Sequence, residues 1–84
     1  PMKCSVFRSI RKDYTYLYLA SGTQFADLPE VLKDTFGQPE FVIDLDLSPT
    51  RKLASEDVND VIQNLKHKGY HLQLPPGDQD GDII

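Results

Sequence analysis

The chain has 84 residues, with 13 acidic and 9 basic side chains, a net charge of −4 and a hydrophobic fraction of 39%. That suffices for one small globular domain, which buries roughly 60–65% of its unfolded surface, and is too little for two. A mildly acidic chain excludes nucleic-acid binding by bulk charge, DNA included, and no apolar run approaches the ~20 residues that span a bilayer.

Met2 to Arg8 reads as a first strand, with Cys4 and Val6 on one face and Ser5 and Phe7 on the other. Pro1, ahead of Met2, reads as a cloning remnant and is set aside. Ser9 to Asp13 is a short polar connection, and Arg8, Arg11 and Lys12 cluster at its tip. The second strand, Tyr14 to Ala20, should pair with the first as an antiparallel hairpin. Tyr14, Tyr16 and Tyr18 alternate with Thr15, Leu17 and Leu19. Both faces therefore carry bulky groups, the mark of a central strand covered on both sides.

Asp27 is the expected N-cap of a first helix, with Glu30 completing a capping box and Pro29 tolerated in the first turn. Leu28, Val31, Leu32 and Phe36 supply the apolar stripe. Gly37 should end the helix in a left-handed conformation, and Pro39 prevents it resuming. Glu40 to Leu47 is a third strand, with Phe41, Ile43, Leu45 and Leu47 on one face and Val42, Asp44 and Asp46 on the other. Ser48-Pro49-Thr50 turns the chain, and Arg51 and Lys52 follow.

Ser55 is the expected cap of a second helix, which Val58, Val61, Ile62 and Leu65 bury. Lys66, His67 and Lys68 suit its negative C-terminal end, and Gly69 closes it. Tyr70 to Leu74 is a last short strand that Pro75-Pro76 terminates. Gly77 to Ile84 reads as a flexible acidic tail. Setting aside Asp78, Asp80 and Asp82 takes the remainder from −4 to −1.

The expected fold is one compact α/β (α+β) domain over residues 2–76, in the order ββαβαβ. Its sheet is four-stranded and mixed, and the helices cover it. Cys4 is the sole cysteine, so no internal disulfide forms and a reducing, cytoplasmic setting is implied. The start carries no signal-peptide pattern.

Three stretches resemble the YcgL domain, a small family of gammaproteobacterial proteins. They are Tyr14–Leu19, the helix exit Phe36-Gly37-Gln38-Pro39, and Gly69-Tyr70-His71-Leu72-Gln73-Leu74-Pro75-Pro76. The resemblance runs from Met2 to Pro76 and implies a compact α/β/α sandwich in a bacterial cytosol. It brings no catalytic or binding residue with it.

The residues themselves offer four candidate sites. Tyr14, Tyr16 and Tyr18 would form a stacking platform for RNA if all three were exposed, or the cover beneath a helix if buried. Arg8, Arg11 and Lys12, joined by Arg51 and Lys52, would form an anion site if the two loops met. Asp44 and Asp46 share a strand face, where they would hold a divalent cation or guard an edge strand against aggregation. His71 and Gln73 share a face of the last strand.

No P-loop, Rossmann glycine fingerprint, CxxC or HExxH is present, and no cofactor is expected. These features favour a non-catalytic binding module. Its partner would be another protein, or RNA, met at the hairpin tip with His71 and Gln73 nearby, and the acidic tail would compete for the basic groups. The alternative is a metal-assisted phosphoesterase or nuclease using Asp44 and Asp46.

Overall fold

The computed structural model describes residues 2–53 and 56–75. Strand β1 spans Met2–Ser9 and β2 Tyr16–Ala20; a 3₁₀ turn at Phe25–Asp27 leads to helix α1, Glu30–Phe36. Strand β3 spans Pro39–Leu47, helix α2 Val58–Lys68 and strand β4 Tyr70–Gln73. Ser55, Pro76 and the acidic tail over 77–84 lie outside the described residues.

The sheet order is β3-β1-β2-β4, and every pairing is antiparallel. The expected mixed sheet is therefore corrected. The crossover through α1 joins β2 to a parallel strand, but β1 lies between them, so no parallel ladder forms. The crossover through α2 then carries the chain from one edge of the sheet to the other.

The alternation of β2 explains how the two faces fill. Tyr18 and Ala20 join Cys4, Val6 and Leu47 beneath Val58, Val61, Ile62 and Leu65 of α2. Leu17 and Leu19 join Leu28 and Phe36 on the opposite face, with Leu32 and Leu72 packed against them. Each aliphatic side chain so buried contributes roughly 1.5–3 kcal/mol.

Three local expectations are corrected. Helix α1 begins at Glu30 with Pro29 at its N-cap, not at Asp27. Pro29 forces the residue before it into extended backbone, and Leu28 has φ −78° and ψ 161°. Asp27 instead closes the 3₁₀ turn, its carboxylate accepting from the amide of Gln24 at 3.4 Å. In this frame Val31 points outward and is 78% exposed, leaving Leu28, Leu32 and Phe36 to face the sheet. Helix α2 is capped by Asp57, whose carboxylate accepts from the amide of Asn59 at 2.8 Å.

Strand β3 carries an irregularity that the alternating pattern hides. Val6 lies opposite Ile43, but Phe7 lies opposite Phe41, so Val42 is an extra residue in the ladder. The bulge moves Phe41 to the face of Phe7, where the rings meet edge-on at 5.8 Å. Phe41 thus does not share a face with Ile43, Leu45 and Leu47.

Candidate binding site

The connection between β1 and β2 is built around Ser9. Its buried hydroxyl accepts from the amides of Arg11 at 3.1 Å and Lys12 at 2.9 Å. The same hydroxyl donates to the carbonyl of Phe36 at 2.7 Å. The amide of Ser9 donates to the carbonyl of Thr15 at 3.0 Å, closing the loop. One small side chain thereby ties the hairpin tip to the end of α1.

Arg11 strengthens that tie. Its guanidinium donates to the carbonyl of Asp34 at 2.5 Å and lies over Gly37. Gly37 has φ 78° and ψ −156°, a region that side-chain-bearing residues essentially never adopt. A Cβ there would come within 3.1 Å of the Arg11 guanidinium. The helix exit and the tip are thus closely fitted.

Tyr14 is the outcome of this loop geometry. It lies before β2, at φ 58°, and is the only non-glycine residue with positive φ among the described residues. A bulky residue in that region costs about 1–2 kcal/mol. The side chain is 74% exposed. Tyr16 is half-buried, and Tyr18 is buried with its hydroxyl donating to Gln73 Oε1 at 2.8 Å. The three rings do not form a platform.

Tyr14 lines two depressions. On one side is a groove of about 720 Å³ formed with Lys12, Leu32, Phe36, Leu72, Leu74 and Pro75 among others. On the other is a polar hollow of about 280 Å³ reaching Arg8 and Tyr16. Arg8 itself pairs with Glu40 at 2.5 Å. The ammonium of Lys12 has no hydrogen-bond or ion-pair partner among the described residues.

The other basic pair is elsewhere. Met2 pairs with Leu47 at one end of β1 and Arg8 with Glu40 at the other, ~20 Å apart along the strand. Arg51 and Lys52 follow Leu47, with the Arg51 guanidinium reaching the carbonyl of Asp46 at 3.5 Å. The two basic groups do not converge.

His71 and Gln73 are engaged inward. His71 Nε2 lies 2.6 Å from Glu56 Oε1, and Nδ1 lies 2.8 Å from the amide nitrogen of Asn64. The ring also meets Tyr18 edge-on at 5.6 Å. With the Asn64 amide donating to Nδ1, the ring proton sits on Nε2 and faces Glu56. Both nitrogens are occupied, so the group fastens β4 to α2 and to the segment before it.

Asp44 accepts from the hydroxyl of Ser5 at 2.6 Å. Among the described residues no cluster of three or more His, Cys, Asp or Glu side chains is placed to hold a metal ion. Cys4 is buried, and desolvation, followed by the nearby charge of Asp44, pushes its thiol up to about 11.

The model of the YcgL domain matches residues 4–76 of this sequence. The chain belongs to the YcgL-domain family. A YcgL domain-containing protein of Pseudomonas paraeruginosa is 46% identical over 77 residues, covering 92% of this chain and 79% of its own length. One from Pseudomonas entomophila is 48% identical with the same coverage. One from Thioalkalivibrio sulfidiphilus is 45% identical over 75 residues, covering 89% of this chain and 93% of its own.

The YcgL resemblance rests on stretches that converge in space. They contribute Tyr14, Thr15, Phe36, Leu72, Leu74 and Pro75 to the 720 Å³ groove. Sequence reasoning accounted for each stretch separately, as strand, helix stop and strand end. It missed Ser9, whose role depends on a carbonyl 27 residues away.

Proposed function

We propose that this YcgL domain is a non-catalytic binding module whose partner is another protein, met at the groove beside Tyr14. One observation carries the reading: an exposed tyrosine, held at positive φ, on the lip of an apolar groove. Strained backbone persists where its surroundings enforce it, and it concentrates at ligand clamps and switch regions. Tyrosine is also among the residues that anchor protein interfaces, where a ring fills a pocket and its hydroxyl finds a polar partner.

In this reading Lys12, Arg11 and Arg8 form the polar rim, and His71 and Gln73 hold β4 in place. Arg51 and Lys52, at the other end of β1, take no part. The two buried clusters on opposite faces of the sheet support an α/β/α sandwich as the rigid base. The setting we propose is the bacterial cytoplasm, which suits a chain with one buried free cysteine and bacterial relatives. The alternative is a metal-assisted phosphoesterase or nuclease using Asp44 and Asp46, which no third His, Cys, Asp or Glu joins among the described residues.

The test is affinity capture from bacterial lysate by wild type and by Tyr14→Ala, with and without nuclease. A protein retained by wild type, lost with Tyr14→Ala and indifferent to nuclease supports the reading. Retention that nuclease abolishes identifies RNA as the partner and overturns it, as does capture that Tyr14→Ala leaves unchanged.

A further inference from the structure

The groove beside Tyr14 is left open by the described residues. Phe36 is buried in its lining, while Leu32, Leu72, Leu74 and Pro75 line it and stay only half-buried. Pro75, the last residue described, is part of its wall. Strand β4 pairs Gln73 with Tyr16, so the chain leaves the sheet at the end where Tyr14 stands. Nine residues follow, Pro-Gly-Asp-Gln-Asp-Gly-Asp-Ile-Ile, and Ile83 and Ile84 are their only large aliphatic side chains.

We propose that Ile83 and Ile84 fold back into this groove and cover it, so that the chain carries its own competitor for the partner. The regulatory meaning rests on the protein-binding reading above; the seating itself does not. Seven residues, 76–82, lie between Pro75 and Ile83. Eight steps of extended chain span at most about 29 Å, and a flexible chain of that length averages about 14–17 Å end to end. A tether that short holds its end near the groove at an effective concentration in the millimolar range.

Apolar contact rather than charge selects this occupant. Arg8 is paired with Glu40, the Arg11 guanidinium is held on the carbonyl of Asp34, and Asp13 lines the groove alongside Lys12. Positive charge near the groove is thus largely offset, and Asp78, Asp80 and Asp82 gain little there. The groove offers half-buried apolar surface, and the segment brings two isoleucines to it. Ordering all nine residues would cost more conformational entropy than two such side chains return on burial. The seating therefore fixes Ile83 and Ile84 alone, with 76–82 as the tether, and a partner can displace it. A groove covered about half of the time raises the partner's apparent Kd about twofold.

The experiment compares amide NMR spectra of the full chain with those of the full chain carrying Ile83→Ser and Ile84→Ser. The amides of residues 12–15 and 32–36 are expected to shift, and those of residues 59–66 on α2 to stay. A nitroxide at Asp82→Cys, with Cys4→Ala to leave one thiol, gives a second readout. It should broaden the amides of residues 32–36, and the two serines should remove that broadening while 0.5 M salt leaves it unchanged. Unmoved amides at 12–15 and 32–36, or broadening indifferent to the serines, would overturn the proposal. So would broadening that salt removes, which assigns the tail to the basic groups by charge, or shifts that vanish on tenfold dilution, which assign the groove to the tail of a second copy. Neither readout needs a partner, so a vacant groove leaves the Tyr14 interface to its own test, and failed capture from lysate leaves the seating to this one.

Discussion

The hydroxyl of Ser9 donates to the carbonyl of Phe36 at 2.7 Å, joining the last residue of β1 to the last residue of α1. The same oxygen receives two amides of the following turn. Removing it strands a buried carbonyl and two turn amides, and an unsatisfied buried polar group costs about 1–3 kcal/mol. Ser9→Ala should therefore lower the urea midpoint of unfolding by an amount in that range. It should also shift the amide resonances of Arg11, Lys12 and Gly37. A stability change with no shift at Gly37 would separate the turn from the helix end.

Tyr14 behaves in the opposite way. Glycine adopts φ 58° without the penalty that a bulky side chain incurs, but it adds freedom to the unfolded chain. The two effects oppose each other, at about 1 kcal/mol each. Tyr14→Gly should thus leave thermal stability within about 1 kcal/mol of wild type while abolishing partner capture. A large loss of stability would assign the ring to the core.

Glu56, Asn64 and His71 fasten β4 to the other face of the sheet. Glu56→Ala removes the oxygen 2.6 Å from His71 Nε2 and leaves that ring nitrogen unpaired. The expected loss is about 1–3 kcal/mol, read from urea unfolding, with faster amide exchange in residues 70–73. Glu56→Gln retains an acceptor oxygen and should recover part of the loss.

Cys4 and Tyr18 set the alkaline limit. Burial raises the Cys4 thiol from 9.0 to about 11 and also raises the Tyr18 phenol. Both groups are stabilised in their neutral forms by folding. That contribution is fully present below the unfolded pKa and is lost as pH rises through the folded one. Stability should hold up to about pH 9 and fall between about 9 and 11. Cys4→Ala should flatten part of that fall, and at pH 8 the native thiol should react with a maleimide only as fast as the chain opens.

The parts of the fold that depend on local chemistry were legible in the sequence. Leu17 and Leu19 alternating with Tyr18 and Ala20 marked a strand with two buried faces, and Val58, Val61, Ile62 and Leu65 marked the buried face of α2. Gly69 at φ 87° marked its end. The parts that depend on distant partners were not legible. Phe41 to Leu47 keeps a period of two straight through a bulge that only the register with β1 reveals. Val31 fits a helical stripe until Pro29 delays the helix start. Tyr14 continues the tyrosine alternation, yet Ser9 ends the loop in a way that turns it out of the strand. The groove beside Tyr14 assembles from these non-local features, which is why the alternating pattern did not show it, although Lys12, which lines it, stood among the sequence candidates.

The central claim is that Tyr14 sits in a protein interface. The most direct measurement replaces Tyr14 with p-benzoylphenylalanine and irradiates the protein in bacterial cells. The same probe at Asn59, exposed on α2, is the control. The account predicts a covalent adduct from position 14 that denaturing gels resolve as a discrete, protease-sensitive and nuclease-resistant band, with none from position 59. No adduct from position 14, or the same adducts from both positions, would contradict it.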